Sequence, residues 1–278
     1  MTPADRELVA QLCAARAGLK VDPEKVYLME SRLGPVARRE NFGAIADLVA
    51  AMRATRDDRL AWALVEAMAA GETSFNRDGA PFELFRDEVL PTLCRLREGE
   101  PIRIWSAACA QGQEAYSLAM IVEDQRSLHP GCKVELFGSD ISERALEKAQ
   151  SGLYTQFEVQ RGLPIRQLVR HFEKDGEMWA LSPRIRQMVR WRRINLVADL
   201  ATAGRFEVIF CRYVLGSLVE PMKAKLLENL ARALSPDGFL FLGEGESAGA
   251  LAGAFQPVAG RPGVYARNPA FRAAALSA

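Results

Sequence analysis

The chain has 278 residues, 49% hydrophobic and 26% charged, which supplies apolar material for one large domain and a smaller one. Its 36 basic and 35 acidic side chains nearly cancel, so the basic excess that nucleic-acid binding needs is missing. No apolar run reaches the roughly 18 residues of a bilayer span, and the charged start MTPADRELVAQL lacks a signal-peptide pattern. A cytoplasmic protein without membrane insertion is expected.

Residues 1 to about 70 show helical spacing throughout. Leu8, Val9, Leu12 and Cys13 recur on one face, as do Leu48, Val49 and Met52, then Leu60, Ala61, Leu64, Val65 and Met68. The spacing predicts a small all-α domain of about four helices. The arginines Arg32, Arg38, Arg39, Arg53, Arg56 and Arg59 suggest either a basic face or a solvated mixed surface, because ten acids share the segment.

From residue 71 onward the texture changes. Short apolar runs at Ile102 to Ala107, Val134 to Gly138, Glu207 to Cys211 and Phe239 to Gly243 suit buried parallel strands. Helical stretches at Ala115 to Asp124, Glu143 to Gln150 and Met222 to Ala233 lie between them. This alternation predicts an α/β, doubly wound, mostly parallel sheet. Ser235-Pro236-Asp237-Gly238 reads as a turn into the fourth strand. Phe255 to Val258 and Gly263 to Ala266 read as an antiparallel edge hairpin, and the Ala-rich tail after Asn268 as loosely ordered. The stretch at about 151–194 is longer than a crossover needs. It reads as an inserted β-subdomain within a domain spanning 71–278, with Ile165 to Phe172 helical and Trp179 and Trp191 packing it.

Five cysteines (Cys13, Cys94, Cys109, Cys132, Cys211) are scattered and form no C-x-x-C, which predicts reduced thiols and neither a disulfide nor a metal site. His129 and His171 stand alone in the sequence.

The most informative segment is IWSAACAQGQEAYSLAM, Ile104 to Met120. A buried strand runs to about Ala108, a turn centres on Gly112, and a helix starts near Glu114. In doubly wound folds ligands sit over such a first turn, and Gly112 is expected to let backbone approach the ligand. The G-x-G-x-x-G fingerprint and the P-loop lysine are both missing. Glu114 stands where a pyrophosphate would sit and would repel it. A cationic, phosphate-free nucleoside such as S-adenosyl-L-methionine suits that acid. Asp140, at the end of the second strand, is placed to accept hydrogen bonds from ribose hydroxyls. The plainer alternatives are a helix N-cap for Asp140 and a solvated helix-start acid for Glu114.

With these residues in place, the chain resembles the CheR family of chemoreceptor glutamate methyltransferases. The resemblance rests on ETSFNRDGAPF, SAACAQGQEAYSLAM, GSDIS, FEVQRGLP, INL, EVIFCR and SPDGFLFLGEGES, in family order over nearly the whole chain. It implies a class I S-adenosylmethionine-dependent methyltransferase fold. The reaction it implies is methyl transfer to glutamates in the cytoplasmic helical region of a chemotaxis receptor, with S-adenosyl-L-homocysteine as product. By position it assigns Thr73 and Arg77 to the approach to cofactor and methyl group, with Arg77 the candidate catalytic residue. Ala108, Gly112 and Glu114 fall on the cofactor turn, Asp140 on the ribose, Asn195 and Leu196 on the adenine side, and Tyr213 and Val214 beside the cofactor. The inserted segment matches the receptor-contacting subdomain, and a monomer is expected.

Some positions depart from the family pattern. The family has asparagine where Gly71 and Tyr213 stand, phenylalanine where Asn76 stands, and an aromatic pair where Ser217 and Leu218 stand. Tyr213 is expected to crowd the cofactor pocket. Three readings therefore stand at this point: an active receptor methyltransferase, a weakened paralogue acting as an adaptor, and a methyltransferase with a changed substrate.

Overall fold

The structure is a computed structural model that describes residues 1–55, 57–200, 203–251 and 253–271. Four helices come first: α1 (Pro3–Ala17), α2 (Val26–Arg39), α3 (Ile45–Thr55) and α4 (Asp58–Ala69). The Thr2 side chain caps α1 and Asp5 returns the bond, forming a capping box with Pro3 in the first turn. Asp57 caps α4. The helical spacing in the sequence becomes a shared core in which Val9, Cys13, Met29, Leu33, Leu48 and Leu64 are fully buried. The arginines of this region are largely spoken for. Arg39 and Arg59 share Glu40, Arg53 faces Asp5, and Arg32 reaches the Met68 carbonyl. Arg56 lies outside the described residues.

A helical run follows: α5 (Ala80–Leu84), a π-helical turn (Phe85–Val89) and α6 (Leu90–Leu96). Then come β1 (Pro101–Ala107), α7 (Gln113–Gln125), β2 (Lys133–Asp140), α8 (Glu143–Ser151), β3 (Leu153–Thr155), α9 (Gln156–Gln160), α10 (Ile165–His171), β4 (Phe172–Asp175), β5 (Met178–Leu181), α11 (Pro183–Arg186) and β6 (Val189–Arg193). The last elements are β7 (Phe206–Phe210), α12 (Glu220–Ala233), β8 (Leu234–Phe241), β9 (Phe255–Pro257) and β10 (Val264–Arg267).

The main sheet runs β6-β2-β1-β7-β8-β10-β9. Its first five strands are parallel, and β10 and β9 form the antiparallel edge. This is the expected class I methyltransferase architecture. All five residues of β7 are buried, as a central strand covered on both faces requires. The chain leaves β1 toward β2 and β6, then returns to β7 on the other side. The switch point therefore lies between β1 and β7, where ligands bind in such sheets.

Several expectations are corrected. The turn expected at Ser235 to Gly238 lies inside β8: Leu234 pairs with Phe206 and Phe239 with Val208, so the residues between interrupt the ladder as an irregularity. The stretch 151–194 yields a three-stranded antiparallel sheet, β3-β5-β4, but its last strand, β6, joins the main sheet beside β2. Trp191 thus packs on the main sheet, not on the small one. Its ring lies over Gly138, where an added Cβ would stand 2.4 Å from the indole. Trp179 does belong to the small sheet and donates to Gln156 at 2.8 Å.

The expectation that every cysteine is reduced is also overturned. Cys94, near the end of α6, is disulfide-bonded to Cys132, just before β2. The fold brings their Cα atoms to 5.2 Å although 38 positions separate them, a proximity that spacing alone cannot reveal. Cys13, Cys109 and Cys211 are free and buried. The tail from residue 272 lies outside the described residues.

Candidate active site

β1 and β2 run in register, pairing Ala107 with Ser139, so their C-terminal ends finish level. The loop after β1 then folds tightly: Ala108 and Ala110 both adopt left-handed backbone, at φ 57° and 49°. Asp140 holds this loop. Its two carboxylate oxygens accept from the Ala110 and Ser142 backbone N–H groups, each at 2.9 Å. The N-cap of α8 is Ser142 and not Asp140, so the capping alternative does not describe this acid. Burial pushes the Asp140 carboxyl above its usual range, against the pull of the backbone donors.

Glu114 sits in the first turn of α7, only 12% exposed at its side chain. Ser106 of β1 donates to it at 2.8 Å and Arg212 at 3.2 Å. The alternative of a solvated helix-start acid is thereby removed. Burial again raises the carboxyl, and the Arg212 charge opposes that rise.

Between these acids lies a cavity of about 410 Å³, inside the range usual for small-molecule sites. Thr73, Arg77, Ala108, Glu114, Asp140, Asn195, Leu196, Tyr213 and Val214 all line it. They come from four strand ends, from the first turn of α7 and from the segment after α4. Gly112 does not. Its backbone is left-handed, at φ 91°, and an added Cβ would stand 2.8 Å from Ala149 and 3.0 Å from Trp191. The glycine is needed where α7 starts against α8 and β6.

The amide of Asn195 donates to the Arg16 carbonyl at 2.7 Å, tying α1 to the end of β6. Ala17 and Leu19 extend the cavity wall from the helical region. Gly71 also faces the cavity, with open space where a side chain would point. Asn76 points elsewhere, donating to Gln167 at 2.9 Å and receiving no place in the cavity wall.

Arg212 is the residue that sequence reasoning missed. It lies two positions past the end of β7, and its side chain is 2% exposed. It pairs with Asp78 and Glu114 and donates to the Arg77 carbonyl at 2.8 Å. The signal the sequence offers for it is a lone arginine after an apolar run, within EVIFCR. Tyr213 does not fill the cavity. Its ring lies against the Arg77 guanidinium, 3.6 Å from carbon to centroid, and its hydroxyl donates to Asp78. Burial drives the Cys109 and Cys211 thiols well above the usual range.

Residues 71–264 match the family model described as the CheR methyltransferase SAM-binding domain. The chain belongs to the CheR methyltransferase family. It is 34% identical over 268 residues to chemotaxis protein methyltransferase 1 of Pseudomonas aeruginosa, covering 95% of this chain and 97% of that protein. It is similar to the chemotaxis protein methyltransferase of Vibrio parahaemolyticus, at 35% over 254 residues, covering 90% and 91%. The Escherichia coli chemotaxis protein methyltransferase is 32% identical over 248 residues, covering 86% and 82%. The matched span takes in the cavity residues from Gly71 to Leu218 and leaves the four-helix bundle outside it. The walls that Ala17 and Leu19 contribute thus come from beyond the CheR model.

Proposed function

We propose that this CheR-family protein methylates glutamate side chains in the cytoplasmic helical region of a chemotaxis receptor, using S-adenosyl-L-methionine. The observation that carries this reading is a cavity at the sheet's switch point with two buried carboxylates, Glu114 and Asp140, on its wall. Buried acids of this kind suit a cationic nucleoside and repel a phosphate. In the division that fits this reading, residues 1–70 form a helical domain and 71–278 the methyltransferase domain, with an insertion at about 151–194 that meets the receptor. A cytoplasmic monomer completes it.

The donor set fits the cofactor. Glu114 and the loop at Ala108 would hold the amino-acid end, Asp140 the ribose, and Asn195 with Leu196 the adenine. When bound, the cofactor supplies an electrophilic methyl group on a cationic sulfur. The rest is done by the chain. A glutamate carboxyl titrates near pH 4.3, so the substrate arrives ionised and needs no general base. Arg77 lines the cavity and, among the described residues, faces no carboxylate within ion-pairing distance. Its guanidinium can grip the incoming carboxylate as a fork and hold it in line. Arg212 opposes the rise that burial imposes on Glu114 and fixes the carboxylate in place.

Calorimetric titration with S-adenosyl-L-homocysteine, followed by methylation of receptor cytoplasmic fragments with labelled cofactor, tests the proposal. Binding with turnover is expected; binding without turnover would leave an adaptor. Arg77→Ala is expected to keep homocysteine-product affinity within about threefold and to cut turnover by about a hundredfold or more, the loss of one charge-assisted grip. Unchanged turnover removes that role from Arg77.

A further inference from the structure

Arg77 and Asp78 are neighbours in sequence and of opposite charge, and an aspartate beside an arginine is its nearest neutralising partner. The structure keeps them apart. Asp78 accepts from Arg212 and from the Tyr213 hydroxyl. Arg77 instead donates to the Glu72 carbonyl at 2.8 Å and lies flat against the Tyr213 ring. One tyrosine therefore touches both members of the pair.

That tyrosine is held at some cost. Its backbone is left-handed at φ 61°, unusual for an aromatic residue. Glu246 braces it, accepting from the Tyr213 N–H at 2.6 Å and from the Gly243 N–H at 2.9 Å. Gly243 leaves the space: an added Cβ there would stand 2.8 Å from the Tyr213 nitrogen and 3.0 Å from its ring. A strained conformation over-determined on three sides marks a side chain whose direction matters.

From this arrangement, and resting on the methyl-transfer reading above, we infer that Tyr213 is a positioning residue for Arg77. Its ring fixes the guanidinium plane at the cavity wall. Its hydroxyl helps Arg212 occupy Asp78, so that Asp78 does not neutralise Arg77 and the positive charge stays available to the substrate carboxylate. The tyrosine touches neither reacting atom; it acts through the arginine. Ser217 lines the same cavity, but its hydroxyl is turned back onto the Val214 carbonyl at 2.7 Å and does not serve Arg77.

The test uses the full chain, a receptor cytoplasmic fragment and S-adenosyl-L-homocysteine. Wild-type turnover comes first, since its absence sinks the methyl-transfer reading and not the geometry of Tyr213. Tyr213→Leu removes ring and hydroxyl; kcat/KM for the receptor fragment is expected to fall about tenfold or more, while product affinity moves by less than about threefold. Tyr213→Phe keeps the stacking face and is expected to recover most of that loss. The deciding arm is a double-mutant cycle with Arg77→Lys, which keeps the charge and loses the planar face. In that background Tyr213→Leu is expected to add no more than about a twofold loss, because its partner is already gone. An equal loss in both backgrounds overturns the inference. So does a fall in product affinity that matches the fall in kcat/KM, which would make Tyr213 a cofactor wall; this second comparison decides the matter if Arg77→Lys shows no turnover.

Discussion

Replacing Arg212 with methionine isolates the buried charge network. The side chain is 2% exposed, pairs with Asp78 and Glu114, and donates to the Arg77 carbonyl at 2.8 Å. Three charge-assisted contacts at roughly 1.5–3 kcal/mol each set a gross loss of about 5–9 kcal/mol. Two effects reduce it: the guanidinium no longer has to be desolvated, and Asp78, with a side chain 32% exposed, can rehydrate. Glu114 cannot, at 12% exposure. A net cost of about 3–5 kcal/mol is expected, the usual price of stranding a buried charge, and about 2–4 °C of melting temperature accompanies each kcal/mol in a chain this size. Calorimetric unfolding measures it. Its pH dependence carries a second signature. The Glu114 carboxyl lies above its ordinary value in the fold, so the folded state binds protons that the unfolded state releases. Stability from such a group is present at low pH and is lost as pH rises from about 4.3 through the folded value. Without Arg212 the folded value climbs further, so the deficit of Arg212→Met should widen with rising pH and then level off. Adding Glu114→Gln should return about 1–3 kcal/mol, since no charge is then stranded. A single-variant cost under about 1 kcal/mol, or a double variant equal to the sum of the two singles, refutes the reasoning.

Two further outcomes follow from the same structure. Burial holds the Glu114 and Asp140 carboxyls above their usual range, so both take up protons earlier than ordinary acids as pH falls. The dissociation constant for S-adenosyl-L-homocysteine should therefore rise with falling pH already above the ordinary carboxylate range, with protons released on binding there, as titrations in buffers of differing ionisation enthalpy would register; a flat profile contradicts the role of the two acids. The disulfide between Cys94 and Cys132 closes a loop of 38 residues. Chain entropy assigns it about 4 kcal/mol, so reduction should lower the melting temperature by about 8–16 °C, and an unchanged transition after verified reduction would show that the crosslink does not constrain the unfolded chain.

How much of this was readable beforehand depends on whether the signal was local. Val208 to Cys211 is an unbroken apolar run of the kind a doubly covered strand tolerates, and Val9 and Cys13 repeat at helical spacing; both signals are local. Asp140 and Glu114 were legible because charge at a strand end or a helix start has few explanations. What failed was pairing across distance. Nothing near Cys94 names Cys132, and nothing near Trp191 says that its ring lies on Gly138 of a neighbouring strand. Gly112 is legible as a glycine in a turn, but the atoms that exclude a side chain there belong to Ala149 and Trp191, which nothing near it in the sequence names. Arg212 looked like one arginine among many until Asp78 and Glu114 converged on it from two other elements.

The helical bundle shows the same limit from the other side. Its buried side chains form their own apolar cluster, with Ile141 packed against it from outside the bundle. Yet the cavity is not complete without it. After α1, Gly18 turns left-handed at φ 66°, and the chain lies beside the segment that follows the β7 end. The Lys20 N–H donates to Ser217 at 2.7 Å and the Val219 N–H to Gly18 at 2.8 Å, with a bridge between Leu19 and Leu218. Asn195 secures Arg16 from the opposite wall. These backbone bonds place Ala17 and Leu19 against the cavity. The cavity at the sheet's switch point therefore borrows part of its wall from the helical bundle. A ligand enclosed there would contact both units, and its binding free energy would stabilise their docking as well as each fold.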